Sequence, residues 1–366
     1  MTATRSDQTT YEEQRDALTE KIFGLALATG EAANVYIGDR LGFYRSLAQD
    51  GPATSAELAR RTGSSERMVR EWLEQQVVAG VLDVDDTGAP LDKRTFTLPA
   101  PHAEALTDER SLAYAAPFAR YLIGCANALP LVMEAFRTGK GVPYDAFGPD
   151  IIESQADVNR PMLEHLLTQE WLPAVPDVHE KLLTGARVAD VGCGAAWSSI
   201  AIARGYPSAR VDGFDLDEHS VKLARRNVTD AGLSERVTVH QQDAGDGAFA
   251  KQFDLALAIE CIHDLSRPVD VLRAMRNMLA AGGTAIVADE RTADAFTVTD
   301  DPMERLFYAF STLLCLPAGM ADEPSAATGT VMRASTLETY ATDAGFQRVE
   351  VLPIEHAQFR FYRLHP

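Results

Sequence analysis

The 366-residue chain predicts an α/β protein: a doubly wound parallel sheet closed by an antiparallel C-terminal hairpin, preceded by a mainly α-helical N-terminal domain with a winged helix. Three observations carry that prediction. First, Val188-Ala-Asp-Val-Gly-Cys-Gly-Ala-Ala-Trp197 is an apolar run that turns through Gly192 and Gly194 into a helix-like segment, as a buried parallel strand does where its backbone passes close to a ligand. Second, three more apolar runs follow, over 210–217, 237–243 and 253–260, so that four strands finish in or beside the acids Asp190, Asp215, Asp243 and Glu260. Third, the stretch from Ala53 to Leu98 reads as helix, turn, helix and two short strands, a helix-turn-helix with a wing.

From the N-terminus, residues about 11 to 48 carry Leu18, Ile22, Leu25, Ala28, Val35, Leu41 and Leu47 at helical spacing, and helices this apolar need a partner. Thr54 and Glu57 form a capping box and Gly63 ends that helix. Ser64 or Ser65 then caps a helix that turns Met68, Val69, Trp72, Leu73 and Val77 inward, followed by strands near Val81–Val84 and Thr95–Leu98. Between residues 51 and 90 stand four Arg against seven Asp and Glu. An acidic wing and recognition helix oppose DNA, whose phosphates call for clustered Lys and Arg.

The whole chain points the same way. Its formal net charge is -19 and its hydrophobic content 46%, which excludes global disorder and disfavours polyanion partners. Cys125, Cys193, Cys261 and Cys315 show no metal-like spacing and read as buried thiols of a reducing, cytoplasmic compartment. The first residues lack the apolar core of a signal peptide, and hydropathy picks out Leu306–Met320, interrupted by Pro317, as the longest apolar stretch. That is too short to span a bilayer, so no membrane partner is expected.

The glycine loop selects among nucleotide-like ligands. A dinucleotide site wants Gly or Ala at the sixth place, whereas Gly192-Cys-Gly-Ala-Ala-Trp197 offers Trp, with Asp190 just before. The loop therefore suits a ligand with a cationic head better than a diphosphate. Here residues 186 to 366 resemble the class I S-adenosylmethionine-dependent methyltransferases, whose sheet is Rossmann-like. The resemblance implies that Asp190, Gly192 and Gly194 line the methionine portion of S-adenosyl-L-methionine. Asp215 would hold the ribose hydroxyls, Leu216 would pack on the adenine, Asp243 followed by Ala244 would contact its amino group, and Glu260 would stand beside the transferred methyl. Ala196 departs from the family at a place where many members carry a third glycine.

The N-terminal pattern resembles the winged-helix dimerisation domain of small-molecule O-methyltransferases, which implies a homodimer acting on a small molecule. The domains are then 1–140, helical and winged, for dimerisation and lid; 141–185, linking helices; and 186–366, the cofactor-binding methyltransferase domain. In Glu260-Cys-Ile-His-Asp-Leu265 the His263-Asp264 pair resembles the base position of those enzymes, and Asp289 or Glu290, ending the next strand, would orient the imidazole. A loop histidine that only bonds backbone is the other reading of His263. A metal is not expected, because the fifth strand is followed by Asp289 and Glu290 rather than a second histidine.

The apolar segment Met303–Cys315, with Met303, Phe307 and Tyr308, reads as a pocket wall or lid, or equally as an interface or core helix. Pro317-Ala-Gly319 is expected to break it. Residues about 141 to 180 join the two halves and supply Tyr144, Phe147, Gln155, Asn159, Arg160, His165 and Trp171, with Trp171 a candidate for the pocket and an ordinary linking helix the reading for each alone. The runs Val349–Leu352 and Phe359–Leu364 form the closing hairpin. Oxygen is the expected acceptor if His263 is the base; carbon, nitrogen and sulfur acceptors remain open, as do a transcriptional regulator that senses the cofactor and a nicotinamide oxidoreductase.

Overall fold

The computed structural model describes residues 10–242 and 247–366, which divide into two compact units, 1–123 and 124–366.

The first unit is helical. α1 (Tyr11–Arg40) starts on a Thr10 capping box, and α2 (Phe43–Asp50) follows. α3 (Ser55–Thr62) carries the expected Thr54–Glu57 box and ends on left-handed Gly63; α4 (Glu66–Val78) starts at Ser65, whose side chain makes no cap bond. β1 (Asp83–Val84) pairs antiparallel with β2 (Phe96–Thr97) as the wing, and α5 (Ala100–Thr107) follows. The core joins Phe43, Tyr44 and Leu47 of α2 to Leu58, Val69, Trp72, Leu73 and Phe96. Met68 corrects the sequence expectation: it is 71% exposed. The inward face is instead Val69, Trp72, Leu73 and Gln76, an i, i+3, i+4, i+7 stripe, in which buried Gln76 accepts from the Tyr44 hydroxyl at 2.5 Å.

α6 (Ala116–Thr138) is, among the described residues, the one helix long and apolar enough to cross a membrane, and half of its most apolar window is buried in the protein. It is longer than the apolar stretch that hydropathy picks out at Leu306–Met320.

The second unit continues with α7 (Pro149–Met162), which runs on as a π-helical segment through Trp171, and α8 (Pro176–Thr184). Then strands and helices alternate: β3 (Arg187–Val191), α9 (Trp197–Gly205), β4 (Arg210–Asp215), α10 (Glu218–Asp230), β5 (Val237–Gln241), β6 (Phe253–Ile259), α11 (Pro268–Met278) and β7 (Leu279–Glu290). α12 (Pro302–Phe310), a π-helical stretch to Cys315 and α13 (Leu316–Gly319) follow, then α14 (Ala334–Asp343), β8 (Arg348–Val351) and β9 (Phe359–His365). The helical run from Pro302 continues through Pro317 and ends at Gly319, the last residue of the expected Pro317-Ala-Gly319 break.

The seven strands order as β5-β4-β3-β6-β7-β9-β8. β3 to β7 run parallel, and β9 pairs antiparallel with both β7 and β8, which is the expected closing hairpin. The chain winds outward from β3 to β5 and then returns to β6 on the other side of β3. That reversal opens a crevice at the carboxyl ends of β3 and β6, the place where open α/β sheets bind ligands. Apolar side chains on both faces of the sheet form the two cores of this unit.

Candidate active site

At the end of β3 the chain must reverse within a few residues, and Gly192, Gly194 and Ala196 all take left-handed backbone angles, with φ of 69°, 50° and 64°. Ala196 thus adopts the conformation its glycine counterpart would take, with a methyl that is fully buried. Gly192 is required twice: its φ disfavours other residues, and an added Cβ would lie 2.8 Å from Cys261 Sγ.

Side chains then fix the loop. Asp190 is 2% exposed, and its Oδ2 accepts from the Ser198 and Ser199 hydroxyls at 2.5 and 2.6 Å. Burial raises its pKa despite those bonds. Asp215 Oδ2 accepts from Gly194 N at 2.8 Å and its Oδ1 from Asp217 N at 3.0 Å, while burial raises its pKa too. Asp217, not Asp215, caps α10. Leu216 beside it is 68% exposed. Asp243 and Ala244 lie outside the described residues.

Glu260 follows β6 with φ of 53°. Its carboxylate accepts from Asn159 Nδ2 of α7 at 2.6 Å and from Gln358 Nε2 at 3.1 Å. Burial pushes its pKa up to about 7, against the Asn159 hydrogen bond and the nearby charge of His263.

His263, in the turn after β6, is 1% exposed. Its Nδ1 donates to Asp289 Oδ1 at 2.7 Å and lies 2.9 Å from Glu290 Oε2, and its Nε2 lies 3.2 Å from Asp264 Oδ1. Burial alone pulls the imidazole pKa down, but Asp264, Glu290 and Asp289 outweigh it and hold it well above the ordinary value. Burial likewise raises Asp289, yet the charge and hydrogen bond of His263 bring it below the usual carboxylate range. Burial drives Glu290 far up, against the opposing charge of His263. The donor atoms of His263, Asp289 and Glu290 lie within 4.8 Å of one another, as do those of His263, Asp264 and Cys315.

The segment after β7 packs on this turn. Gly329 N donates to the His263 carbonyl at 3.1 Å, Ala326 N to that of Ser266 at 2.8 Å, and Ser266 Oγ to that of Gly319 at 2.8 Å. α12 is pinned by Arg333, which donates to Glu304 Oε1 at 2.9 Å and to the Tyr308 hydroxyl at 2.6 Å. Glu304 Oε2 in turn accepts from Ala293 N at 2.9 Å. Phe307 is buried, and Met303 and Tyr308 are half-buried.

Trp171 is 2% exposed and packs edge-on against His356 and Phe359 in the core beneath the sheet. Sequence reasoning also gave no role to Cys315, Gln358 or Arg333, and preferred an ordinary linking helix for Asn159 and Tyr144. Tyr144 is half-buried; burial, then Asp264, Cys315, Asp215 and Asp217, push its phenol well above the ordinary value, which places it among the site acids.

Strand order, glycine loop and acids at successive strand ends define a class, and comparison with known proteins agrees. Residues 182–329 match the family described as a methyltransferase domain, and residues 30–108 match the Rv2258c-like winged HTH domain. The chain is an S-adenosylmethionine-dependent methyltransferase with an N-terminal winged helix-turn-helix domain.

Among curated relatives, the ubiquinone biosynthesis O-methyltransferase of Pseudomonas syringae pv. tomato is 29% identical over 179 residues, 48% of this chain and 70% of that one. Two solved structures share the fold. Human N-acetylserotonin methyltransferase, in complex with S-adenosylmethionine, superposes with a TM-score of 0.68 at 16% identity over 100% of this chain and 99% of that one. The mitomycin 7-O-methyltransferase MmcR does so with 0.64 at 20% identity over 97% and 99%.

The loop fits the cofactor. Its glycines leave room for close approach, its amides are held in place by Asp215 and the strand, and acids rather than phosphate-binding groups surround it.

Proposed function

We propose that the enzyme methylates a small, largely apolar molecule at oxygen, with His263 as general base and Asp289 as the carboxylate that orients it. The observation that carries this reading is the 2.7 Å hydrogen bond from His263 Nδ1 to Asp289 Oδ1, which fixes the ring so that Nε2 is the nitrogen left for a substrate proton.

The cofactor supplies a sulfonium methyl. The chain's own residues align the acceptor and remove its proton, since alignment is much of what a protein can contribute to an in-line displacement. An imidazole whose protonated form is stabilised by carboxylates is a stronger base when neutral, suited to a weakly acidic hydroxyl. Met303, Phe307 and Tyr308 wall the acceptor pocket, and the segment from Ser311 to Gly329 must move to admit the acceptor to buried Nε2. Asp190, Gly192, Gly194 and Glu260 shape the methionine end of the cofactor site, Asp215 takes the ribose, and Leu216, Asp243 and Ala244 the adenine. No metal takes part.

The test is turnover with hydroxylated aromatic acceptors. His263→Gln loses roughly 100-fold or more, with cofactor affinity kept and activity indifferent to chelators. Unchanged turnover in the variant sinks the base role.

A second reading rests on the burial of His263, 1% exposed with both ring nitrogens beside carboxylates. There the imidazolium only balances charge, and the acceptor is a carbon, nitrogen or sulfur that needs no base.

A cytoplasmic homodimer completes the proposal. Leu18, Ile22, Phe23, Leu25 and Leu27 of α1 are all more than half exposed, an apolar surface suited to a second copy. Light scattering of the purified protein measures this directly. The wing charge disfavours a DNA-sensing regulator, and a low-salt DNA titration tests that.

A further inference from the structure

The cofactor ends in an α-amino acid, with an ammonium and a carboxylate on one carbon. The acids around the crevice suit the ammonium, but the carboxylate needs donors. The glycine loop is flanked by two buried polar atoms that, among the described residues, have no hydrogen-bond partner: the acceptor Asn159 Oδ1 and the donor Trp197 Nε1. Buried polar atoms left this way call for an explanation, and a ligand is one.

Each orphan has a charged neighbour of matching character. Asn159 Nδ2 holds Glu260 Oε2 at 2.6 Å, so the orphan amide oxygen belongs to the same pair as a carboxylate, and both accept. Arg160, the next residue of α7, lays its guanidinium over the Trp197 ring with Cζ 4.1 Å from the centroid, so the orphan indole N–H belongs to the same pair as a cation, and both donate. Arg160 is steadied by Glu164 Oε1, 3.6 Å from its Nε, and stacking keeps the planar fork pre-organised. Trp197 is the first residue of α9, directly after the loop. Two consecutive residues of one helix therefore carry opposite recognition chemistry to the two sides of the glycine loop.

We propose that Asn159, Arg160, Trp197 and Glu260 form a clamp that reads the zwitterionic end of the cofactor: Glu260 and Asn159 Oδ1 take the α-ammonium, and Arg160 and Trp197 Nε1 take the α-carboxylate. This rests on placing the methionine end of the cofactor at the glycine loop. The clamp selects the intact amino acid over truncated adenosyl thioethers and fixes the sulfur through the far end of its chain.

The test is calorimetric titration of the full-length protein with S-adenosylhomocysteine, its decarboxylated analogue and 5′-methylthioadenosine, none of which turns over. Wild type prefers S-adenosylhomocysteine over the decarboxylated analogue by about tenfold or more, as charge-assisted bonds require. Arg160→Gln lowers that preference to near unity by weakening only the carboxylate-bearing ligand, and Arg160→Lys restores part of it. Glu260→Gln weakens both ammonium-bearing ligands alike and spares 5′-methylthioadenosine.

Thermal unfolding of each variant separates stacking from recognition, because a structural role lowers stability without changing the ratio. Binding of 5′-methylthioadenosine with no preference in wild type, or a preference that survives in Arg160→Gln, overturns the clamp alone. Failure of all three ligands to bind overturns both the clamp and the placement it rests on.

Discussion

Replacing Gly192 with Ala tests how the cofactor loop is built. Two costs are visible. The residue sits at φ of 69°, where an L-residue costs about 1–2 kcal/mol. The new Cβ would lie 2.8 Å from Cys261 Sγ and 2.9 Å from its Cβ, and overpacking of that kind costs about 1–3 kcal/mol. The stiffer unfolded chain returns about 0.4–1 kcal/mol, which leaves a net loss of roughly 1–5 kcal/mol by the same three principles.

Cys261→Gly removes the atoms struck but cannot alter the backbone angle. In a double-mutant cycle, the second change should recover the steric part and leave the conformational part. The measurement is urea unfolding of the four proteins. A coupling of about 1–3 kcal/mol is expected. Additivity within about 0.5 kcal/mol would mean that Cys261 does not press on the loop, and the close-packing argument would fail.

The remaining predictions concern charge and the lid. His263 must be neutral to accept a proton and its pKa lies well above the usual value, so kcat/KM for a hydroxyl acceptor should rise with pH through a value above 6.5 and the rising limb should vanish in His263→Gln; a flat profile refutes this. Glu260 titrates at about 7 and attracts the cofactor ammonium only when ionised, so S-adenosylhomocysteine affinity, read by calorimetry, should strengthen as pH rises through about 7, and a pH-independent constant contradicts it. Arg333→Met strands buried Glu304, a loss of roughly 3 kcal/mol in chemical denaturation that Glu304→Gln should largely reverse; a loss below about 1 kcal/mol would show that the pair does not secure α12.

The sheet was legible because each parallel strand is an apolar run bounded by helix signals, and because glycines mark the one turn that must approach a ligand. Ala196 shows the limit of that signal. Its buried methyl accepts a left-handed angle, which no residue-type rule would assign to alanine. Met68 shows another. Helical periodicity gives the spacing of a buried stripe but not its phase, and here Tyr44, reaching Gln76 from another helix, sets the phase one residue on. The packing of Trp171 was not legible, because its neighbours His356, Phe359 and Phe361 lie far along the chain. Asn159 and Gln358 meet Glu260 across 101 and 98 residues, and no local pattern encodes such a pair.

The choice between Asp289 and Glu290 is the most instructive case. Successive residues of a strand point to opposite faces, so periodicity allows only one of the two to face His263 and cannot say which. Yet both carboxylates approach the same nitrogen, at 2.7 and 2.9 Å. They can do so because β7 ends at Glu290, and the constraint that separates neighbouring side chains lapses at the last residue. Two carboxylates on one imidazole cannot both remain charged at no cost in so buried a place. The environment separates them: His263 brings Asp289 down, and burial drives Glu290 up. The three groups therefore titrate as one unit. The sequence question of which acid serves the histidine has a physical answer that names both, one lowered by its bond to the imidazole and the other raised by burial.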